Sequence, residues 1–287
     1  DLAALAAAEL VAASLLIPPV SLRPAGVLQQ PSTLAAAIRA GPPGRVSIDY
    51  DEPQLTGEAS EQFLTASRER LVPLRFLEEG LSAVEGYGFR EPWRLTRVLA
   101  PEGSGAYRVF GVTQRVRQAA GAPRGPRSSD GWAEVTPVDG AFPPAWLVER
   151  ATVAPEAEAL AALVKTPDRL AHEALVDPGA ELDAAPCESP TPTVRRGEEW
   201  LEVEVNACAP RLLVLGDSYF PGWRALVDGE EVEVSRADGM LRGVRVPAGP
   251  HRVRFTYRPR SVQVGGVGTL LGAIAVAALG MRRRKTT

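Results

Sequence analysis

The sequence predicts an α+β protein that is mainly β. An antiparallel, jelly-roll-like β-sandwich forms its C-terminal lobe, a mixed α/β lobe precedes it, and one C-terminal transmembrane helix ends it. Three observations predict this. From Trp200 onward apolar and polar residues alternate, with Leu201, Val203 and Val205 on one face and Glu202 and Glu204 on the other. Turn chemistry then recurs at short intervals, at Asp228-Gly229 and at Pro247-Ala248-Gly249-Pro250. Last, Ser261 to Met281 contains no charged residue, and Arg282, Arg283, Arg284 and Lys285 follow at once. Such a helix extends roughly 31 Å, close to the hydrocarbon thickness of a bilayer.

Residues 1–43 read as a juxtamembrane segment and linker. The opening DLAALAAAELVAASLLIPP is apolar, but Glu9 interrupts it and Pro18-Pro19 stop it, so it is too short and too polar to span. It lacks an initial Met and the basic start of an export signal, which suggests the C-terminal piece of a longer membrane protein. A short helix is expected over Ser32–Arg39 with Ser32 as its N-cap.

Residues 44–118 form the mixed lobe. Arg45–Tyr50 alternates as a strand, Glu61–Phe76 mixes helix and strand character, and Leu81–Tyr87 is a strand ending in Gly-Tyr-Gly. The pattern leaves the type of Arg94–Leu99 and Tyr107–Val116 open. Residues 119–139 are rich in Gly, Pro and Ser and read as a linker.

Residues 140–259 make the sandwich lobe. Ala145–Val153 is a strand, and Pro155 opens a helix running to about Val164, with Glu156 and Glu158 where the helix dipole favours acids. His172–Val176 is a further strand, and a polar loop runs to Arg196. Arg211–Leu215 is a more apolar strand. Trp223–Val227 and Glu231–Val234 flank Asp228-Gly229 as a type I′ hairpin. Val244–Val246 and Val253–Tyr257 are expected to form a second hairpin about the Pro247–Pro250 turn. Sheets with one apolar face need a second layer, and two sheets supply it.

The span covers 261–281 and a basic tail 282–287. Four cations beyond the span against Arg258 and Arg260 before it place the tail in the cytoplasm and the bulk of the chain outside. The chain's net charge is −3; without the four basic residues of the tail it is −7. That acidity excludes nucleic acid as a partner, since phosphates require clustered Lys and Arg. Cys187 and Cys208 are the two cysteines. They are too few for a metal site, and outside the cytoplasm they either pair or remain free.

Each candidate for chemistry has a plainer alternative. Trp223 and Tyr219 can offer aromatic faces to a sugar ring, but the favoured reading is that Trp223 fills the sandwich core and Tyr219 shapes the turn. Asp217 and Asp228 can accept from sugar hydroxyls, whereas Asp228 suits its turn and Asp217 suits capping of local backbone. Glu202 with Glu204, and Glu231 with Glu233, lie on presumed polar faces without the paired apolar and polar environments of glycoside hydrolysis. His172 and His251 lack a partner motif, and His251 is expected exposed on its turn. No nucleotide, metal or other cofactor motif is present. Gly268 and Gly272 present a flat stripe against which another membrane helix can pack. Arg258 and Arg260 can hold a lipid-linked phosphate or contact headgroups.

Residues 212–259 carry Asp217-Ser218-Tyr219-Phe220-Pro221-Gly222-Trp223, Val227-Asp228-Gly229, Gly243-Val244, Pro247-Ala248-Gly249-Pro250-His251 and Tyr257-Arg258-Pro259 ahead of the apolar run. With these motifs the chain resembles the C-terminal extracytoplasmic part and last transmembrane helix of the bacterial YfhO family of multi-pass membrane proteins. Weaker matches lie at Ala145-Trp146-Leu147-Val148 and Val84-Glu85-Gly86-Tyr87. The family looks like membrane glycosyltransferases that modify cell-surface polymers from polyprenyl-phosphate-linked sugars. The resemblance implies a bacterial inner-membrane location, with the bilayer and an N-terminal multi-span core of the same protein as partners. A polyprenyl-phosphate sugar and a cell-surface polymer are the implied ligands. Catalytic acids of such enzymes belong to the multi-span part, so the expected role here is accessory, with no catalytic residue. The alternative is a single-span cell-surface module that binds glycans or proteins without enzymatic activity.

Overall fold

The computed structural model describes residues 32–48, 79–84, 93–101, 103–118, 133–197, 200–259, 261–262, 264–266 and 268–272. The chain divides into two compact units, one of residues 1–91 and 112–139, the other of residues 92–111 and 140–287.

The first unit is built on helix α1 (Thr33–Ala40) and strands β1 (Arg45–Ile48), β2 (Val112–Gln118) and β3 (Ala133–Pro137). Ser32 caps α1 as its sequence predicts, its Oγ accepting from the Ala35 N–H at 3.2 Å. The three strands form one sheet in order β1-β2-β3, parallel between the first pair and antiparallel between the second. Leu34, Ala35 and Ile38 of the helix share a core with Val46, Ile48 and Val116 of the sheet. β3 lies inside the Gly- and Pro-rich stretch expected to be loop. It pairs through the antiparallel ladder with β2, a long-range partner that local composition does not reveal. Of the strand expected over Leu81–Tyr87, residues 81–84 are described, and Ala83 makes a bridge to Val46. The elements expected over Glu61–Phe76 fall outside the described residues.

In the second unit α2 (Trp93–Leu99) and α3 (Ala106–Val109) resolve the two open segments as helices, the latter leading into β2. Twelve strands follow: β4 (Ala145–Val148), β5 (Arg150–Val153), β6 (Glu173–Val176), β7 (Leu182–Asp183), β8 (Thr193–Arg196), β9 (Trp200–Ala207), β10 (Arg211–Ser218), β11 (Trp223–Val227), β12 (Glu230–Val232), β13 (Ser235–Ala237), β14 (Leu241–Val246) and β15 (Gly249–Tyr257). Helix α4 (Glu156–Lys165) and a 3₁₀ turn (Pro167–Ala171) lie between β5 and β6.

These strands form two sheets, β4-β10-β14-β13-β6-β5-β7 and β12-β11-β15-β9-β8. The five-stranded sheet is antiparallel throughout. The seven-stranded sheet is antiparallel except where β5 runs parallel to β6 through the α4 crossover. Leu213, Leu215 and Val244 of the larger sheet meet Val203, Val253 and Phe255 of the smaller one in a shared core. That makes the lobe a two-sheet sandwich.

The larger sheet is covered on its second face as well. Trp146, opposite Val214 in the ladder, donates from Nε1 to the Leu170 carbonyl at 2.9 Å in the 3₁₀ turn. A Cβ placed on Gly239 would meet Leu160 of α4 at 3.0 Å. Burial on two faces explains why β10 reads as a continuous apolar run, Leu212 to Leu215, whereas β9 alternates.

Three expectations are corrected. Ala145–Val153 breaks at Glu149 into β4 and β5, which pair with different strands of one sheet. The polar stretch before Arg196 contains β7 and β8, edge strands whose residues are largely exposed and so carry little apolar signal. Val244–Val246 and Val253–Tyr257 are not a hairpin. β14 pairs with β10 and β13, while β15 pairs with β9 and β11, so the Pro247 turn carries the chain from one sheet to the other.

Residues 261–262, 264–266 and 268–272 are helical. Val262, Val264, Leu270 and Leu271 on this helix are each at least 60% exposed. Among the described residues no helix is long and apolar enough to cross a membrane. Positions 273–281 of the expected span, and the basic tail, lie outside them.

Candidate functional site

Asp217, Tyr219, Trp223 and Tyr257 gather at the end of the sandwich from which the C-terminal helix departs. Asp217 stands near the end of β10, Arg242 on the neighbouring β14, and Arg196 at the end of β8 in the opposite sheet. Asp217 Oδ2 accepts from Arg242 Nη2 at 2.7 Å and from Arg196 Nη1 at 2.9 Å. The Arg242 side chain is only 4% exposed. An ionised carboxylate between two guanidinium groups is an acceptor already committed, so Asp217 joins the two sheets across the core.

Arg242 also lies over Trp223, with its guanidinium carbon 3.8 Å from the ring centroid. The Tyr257 ring stands 5.1 Å from Trp223, tilted by 46°. Trp223 is therefore neither a core filler nor an open platform. It packs half-buried on the core edge with Arg242 across its ring, a cation–π contact. Tyr219 is half-buried, and its N–H donates to the Met240 carbonyl at 2.7 Å, which holds the loop after β10 against the β13–β14 turn.

Gly222 links this loop to the helix. Its φ is +111°, its carbonyl accepts from the Arg258 N–H at 2.8 Å, and a Cβ there would lie 2.8 Å from the Pro259 Cα. No side chain fits that approach. Arg258 itself is exposed; Arg260 lies outside the described residues. Gly268 and Gly272 open onto space, since a Cβ at either would meet nothing within 4 Å.

Asp228 and His251 come together in a way their separation in sequence conceals. Asp228, at φ +51° in the β11–β12 turn, accepts from the Arg252 N–H through Oδ1 and holds His251 Nδ1 at 2.6 Å through Oδ2. His251 Nε2 lies 3.3 Å from the Ala248 carbonyl. The hydrogen bond from His251 holds the Asp228 carboxyl below its ordinary range, and the same bond raises the imidazole above its own. The His251 side chain is 17% exposed, which corrects the exposed turn residue expected. With acceptors at both nitrogens the ring is a turn clamp, and it presents no free nitrogen to act as a base. The β11–β15 register is the signal that finds this pair, because it ends with Val227 opposite Val253 and sets Asp228 beside Arg252.

Glu202 is 15% exposed and Glu204 41%, both 3.6 Å from Arg252, so Glu202 is more covered than a solvated face predicts. Glu231 lies 3.8 Å from Arg224, and Glu233 is exposed. His172 is exposed beside Glu149. Arg236 chelates Asp177 at 2.9 and 3.1 Å and reaches Glu156 at 2.7 Å, while Arg94 binds Glu156 through two bonds of 3.0 Å. That network ties α2, α4 and β13 together and leaves its acids neutralised. Cys187 and Cys208 form a disulfide, with Cα atoms 6.1 Å apart. The buried Arg211 braces it by donating to the Ala185 carbonyl at 2.9 Å. Among the described residues no three His, Cys, Asp or Glu side chains converge as metal ligands.

Among the described residues the arrangement gathers aromatic rings and arginines about a helix start, and its acid, Asp217, is held by two arginines. Residues 188–267 match the family described as bacterial membrane protein YfhO. The chain thus carries a YfhO-like region over these residues. The match runs from the approach to β8 through the five-stranded sheet and into the C-terminal helix, so it covers Asp217, Trp223 and Arg258. No curated protein and no solved structure matches the chain.

Proposed function

We propose that the chain is the extracytoplasmic accessory part of a YfhO-like multi-pass membrane glycosyltransferase, which modifies cell-surface polymers from polyprenyl-phosphate-linked sugars. The observation that carries this reading is the continuity of the YfhO match from the sandwich into an apolar, exposed helix. The disulfide supports placing the sandwich on the oxidising side of the membrane. The tail's four cations support a cytoplasmic C-terminus. On this reading 261–281 crosses the bilayer, Gly268 and Gly272 pack against the multi-span core, and the sandwich caps that core from outside.

The state of the candidate acids supports the accessory role. Asp217 is clamped by Arg196 and Arg242, and Asp228 by His251, so neither is available to protonate a leaving group. The purified chain is expected to transfer no sugar from a polyprenyl-phosphate donor to a cell-surface polymer acceptor. Transfer by this chain alone would refute the accessory role.

A further inference from the structure

We propose that the helix-proximal end of the five-stranded sheet is a membrane-docking face seated among the headgroups of anionic phospholipids. The proposal rests on the membrane reading above and adds to it an orientation of the sandwich and a ligand chemistry, the lipid phosphate.

Exposed aromatics concentrate at this end. Outside the C-terminal helix, the exposed large apolar side chains among the described residues are Val153, Trp200, Phe220 and Tyr257. The three aromatics all border the departure of the helix. Trp200 faces Thr256 in the β9–β15 ladder, Tyr257 faces Trp223, and Phe220 lies in the loop whose Gly222 holds the Arg258 N–H. They are 36%, 42% and 45% exposed for Trp200, Phe220 and Tyr257. Aromatic rings with one apolar body and, for Trp and Tyr, one polar tip are favoured at a membrane–water boundary.

Positive charge concentrates at the same place. On the outer face of the sheet Arg224, Arg254 and Arg258 line a cleft of about 360 Å³ with Leu226, Thr256 and Glu231. Among the described residues neither Arg254 nor Arg258 has a carboxylate within 4 Å, and Arg224 has Glu231 only at 3.8 Å. Arg254 lies 5.5 Å from the Trp200 ring, so a guanidinium and an indole are presented together. Farther from the helix Arg252 is matched by Glu202 and Glu204, and Arg195, level with Arg254 in the ladder, is matched by Glu204. Arg254 and Arg258, without a close carboxylate among the described residues, thus stand toward the helix, where guanidinium forks can meet phosphates.

Chain length sets the height. The helix begins at Ser261, four residues after Tyr257, and four extended residues reach about 14 Å at most. The headgroup region on one side of a bilayer is roughly 5–7 Å deep. A sheet end tied this closely to an apolar helix is within reach of the phosphates, and its charge complements theirs.

The test reconstitutes the chain in vesicles of phosphatidylcholine with and without phosphatidylglycerol, using lipids brominated near the headgroup end of the acyl chains. Quenching of tryptophan emission is compared between wild type and Trp200→Phe. Carbonate resistance is measured on the same samples. The expected result is carbonate resistance in both, a quenched component missing from Trp200→Phe, and a fall of that component by about half or more without phosphatidylglycerol. Arg254→Gln with Arg258→Gln removes the dependence on phosphatidylglycerol. Carbonate resistance with equal quenching in wild type and Trp200→Phe would overturn the docking face while the span stands. Quenching that ignores both phosphatidylglycerol and the arginine substitutions would overturn the phosphate contact. Extraction by carbonate would overturn the span and the docking face together.

Discussion

Asp217 shows how a residue changes meaning between sequence and structure. An acid after an apolar strand suits a sugar ligand, yet its carboxylate is held by Arg242 and Arg196. Replacing it by Ala leaves those guanidinium groups without it, one of them in a nearly buried side chain. Asp217→Ala is expected to cost on the order of 3 kcal/mol in urea unfolding; an unchanged midpoint would return Asp217 to the ligand reading. Asp238 gives a second residue-scale prediction. At φ +50° in the β13–β14 turn, it is fully buried and accepts from the Leu175 N–H at 2.8 Å. Burial pushes its carboxyl up to about 7, aided by nearby Glu173 and opposed by the Leu175 N–H and Arg169. Its folded pKa lies above the unfolded value of about 3.9, so the folded chain holds an extra proton between the two. This contribution to stability is full below about pH 4 and is lost as pH rises through about 7. His251, also raised, adds in the same direction. Asp238→Asn is expected to reduce the loss of stability between about pH 5 and pH 8, read from urea midpoints at each pH.

At the scale of elements, the joint between sheet and helix is the tightest point. Gly222→Ala places a Cβ against the Pro259 backbone at a φ that L residues rarely adopt, and is expected to destabilise by about 1–3 kcal/mol. Thermal unfolding checks it, with Gly229→Ala as a comparison, since that turn has the positive φ but nothing within 4 Å. The disulfide ties the stretch after β7 to the end of β9 across 21 residues. Cys187→Ser with Cys208→Ser is expected to lose about 3 kcal/mol, measured by denaturant unfolding of the oxidised protein and of the variant. Much of this level was legible in the sequence. The period-2 run of Trp200–Val205, the Asp228-Gly229 turn, the Ser32 cap and the helix opened by Pro155 are local signals, and each stands where it was expected. What escaped depends on partners distant in sequence. Nothing local in Pro247–Pro250 tells a hairpin from a passage between sheets, and nothing in Ala145–Val153 marks the break at Glu149. The site escaped for the same reason, because Asp217, Arg196 and Arg242 meet only once β10, β14 and β8 are paired and stacked.

For the molecule as a whole, the described lobe is a sandwich whose larger sheet is also covered by helices, so its interior is closed without the C-terminal helix. That helix carries Val262, Val264, Leu270 and Leu271 into the surroundings, and the match of residues 188–267 to a bacterial membrane protein family supports the proposal of a bilayer as those surroundings. Exposed aromatics, and arginines without a close carboxylate among the described residues, stand toward the helix and give the sandwich a direction relative to the membrane. The account depends on residues 261–281 crossing that membrane with the sandwich outside. The most direct measurement fuses reporters after Thr287 in bacterial cells producing the protein at its natural length. Green fluorescent protein is expected to fluoresce there and alkaline phosphatase to stay inactive; active phosphatase with a dark fluorescent fusion would contradict it.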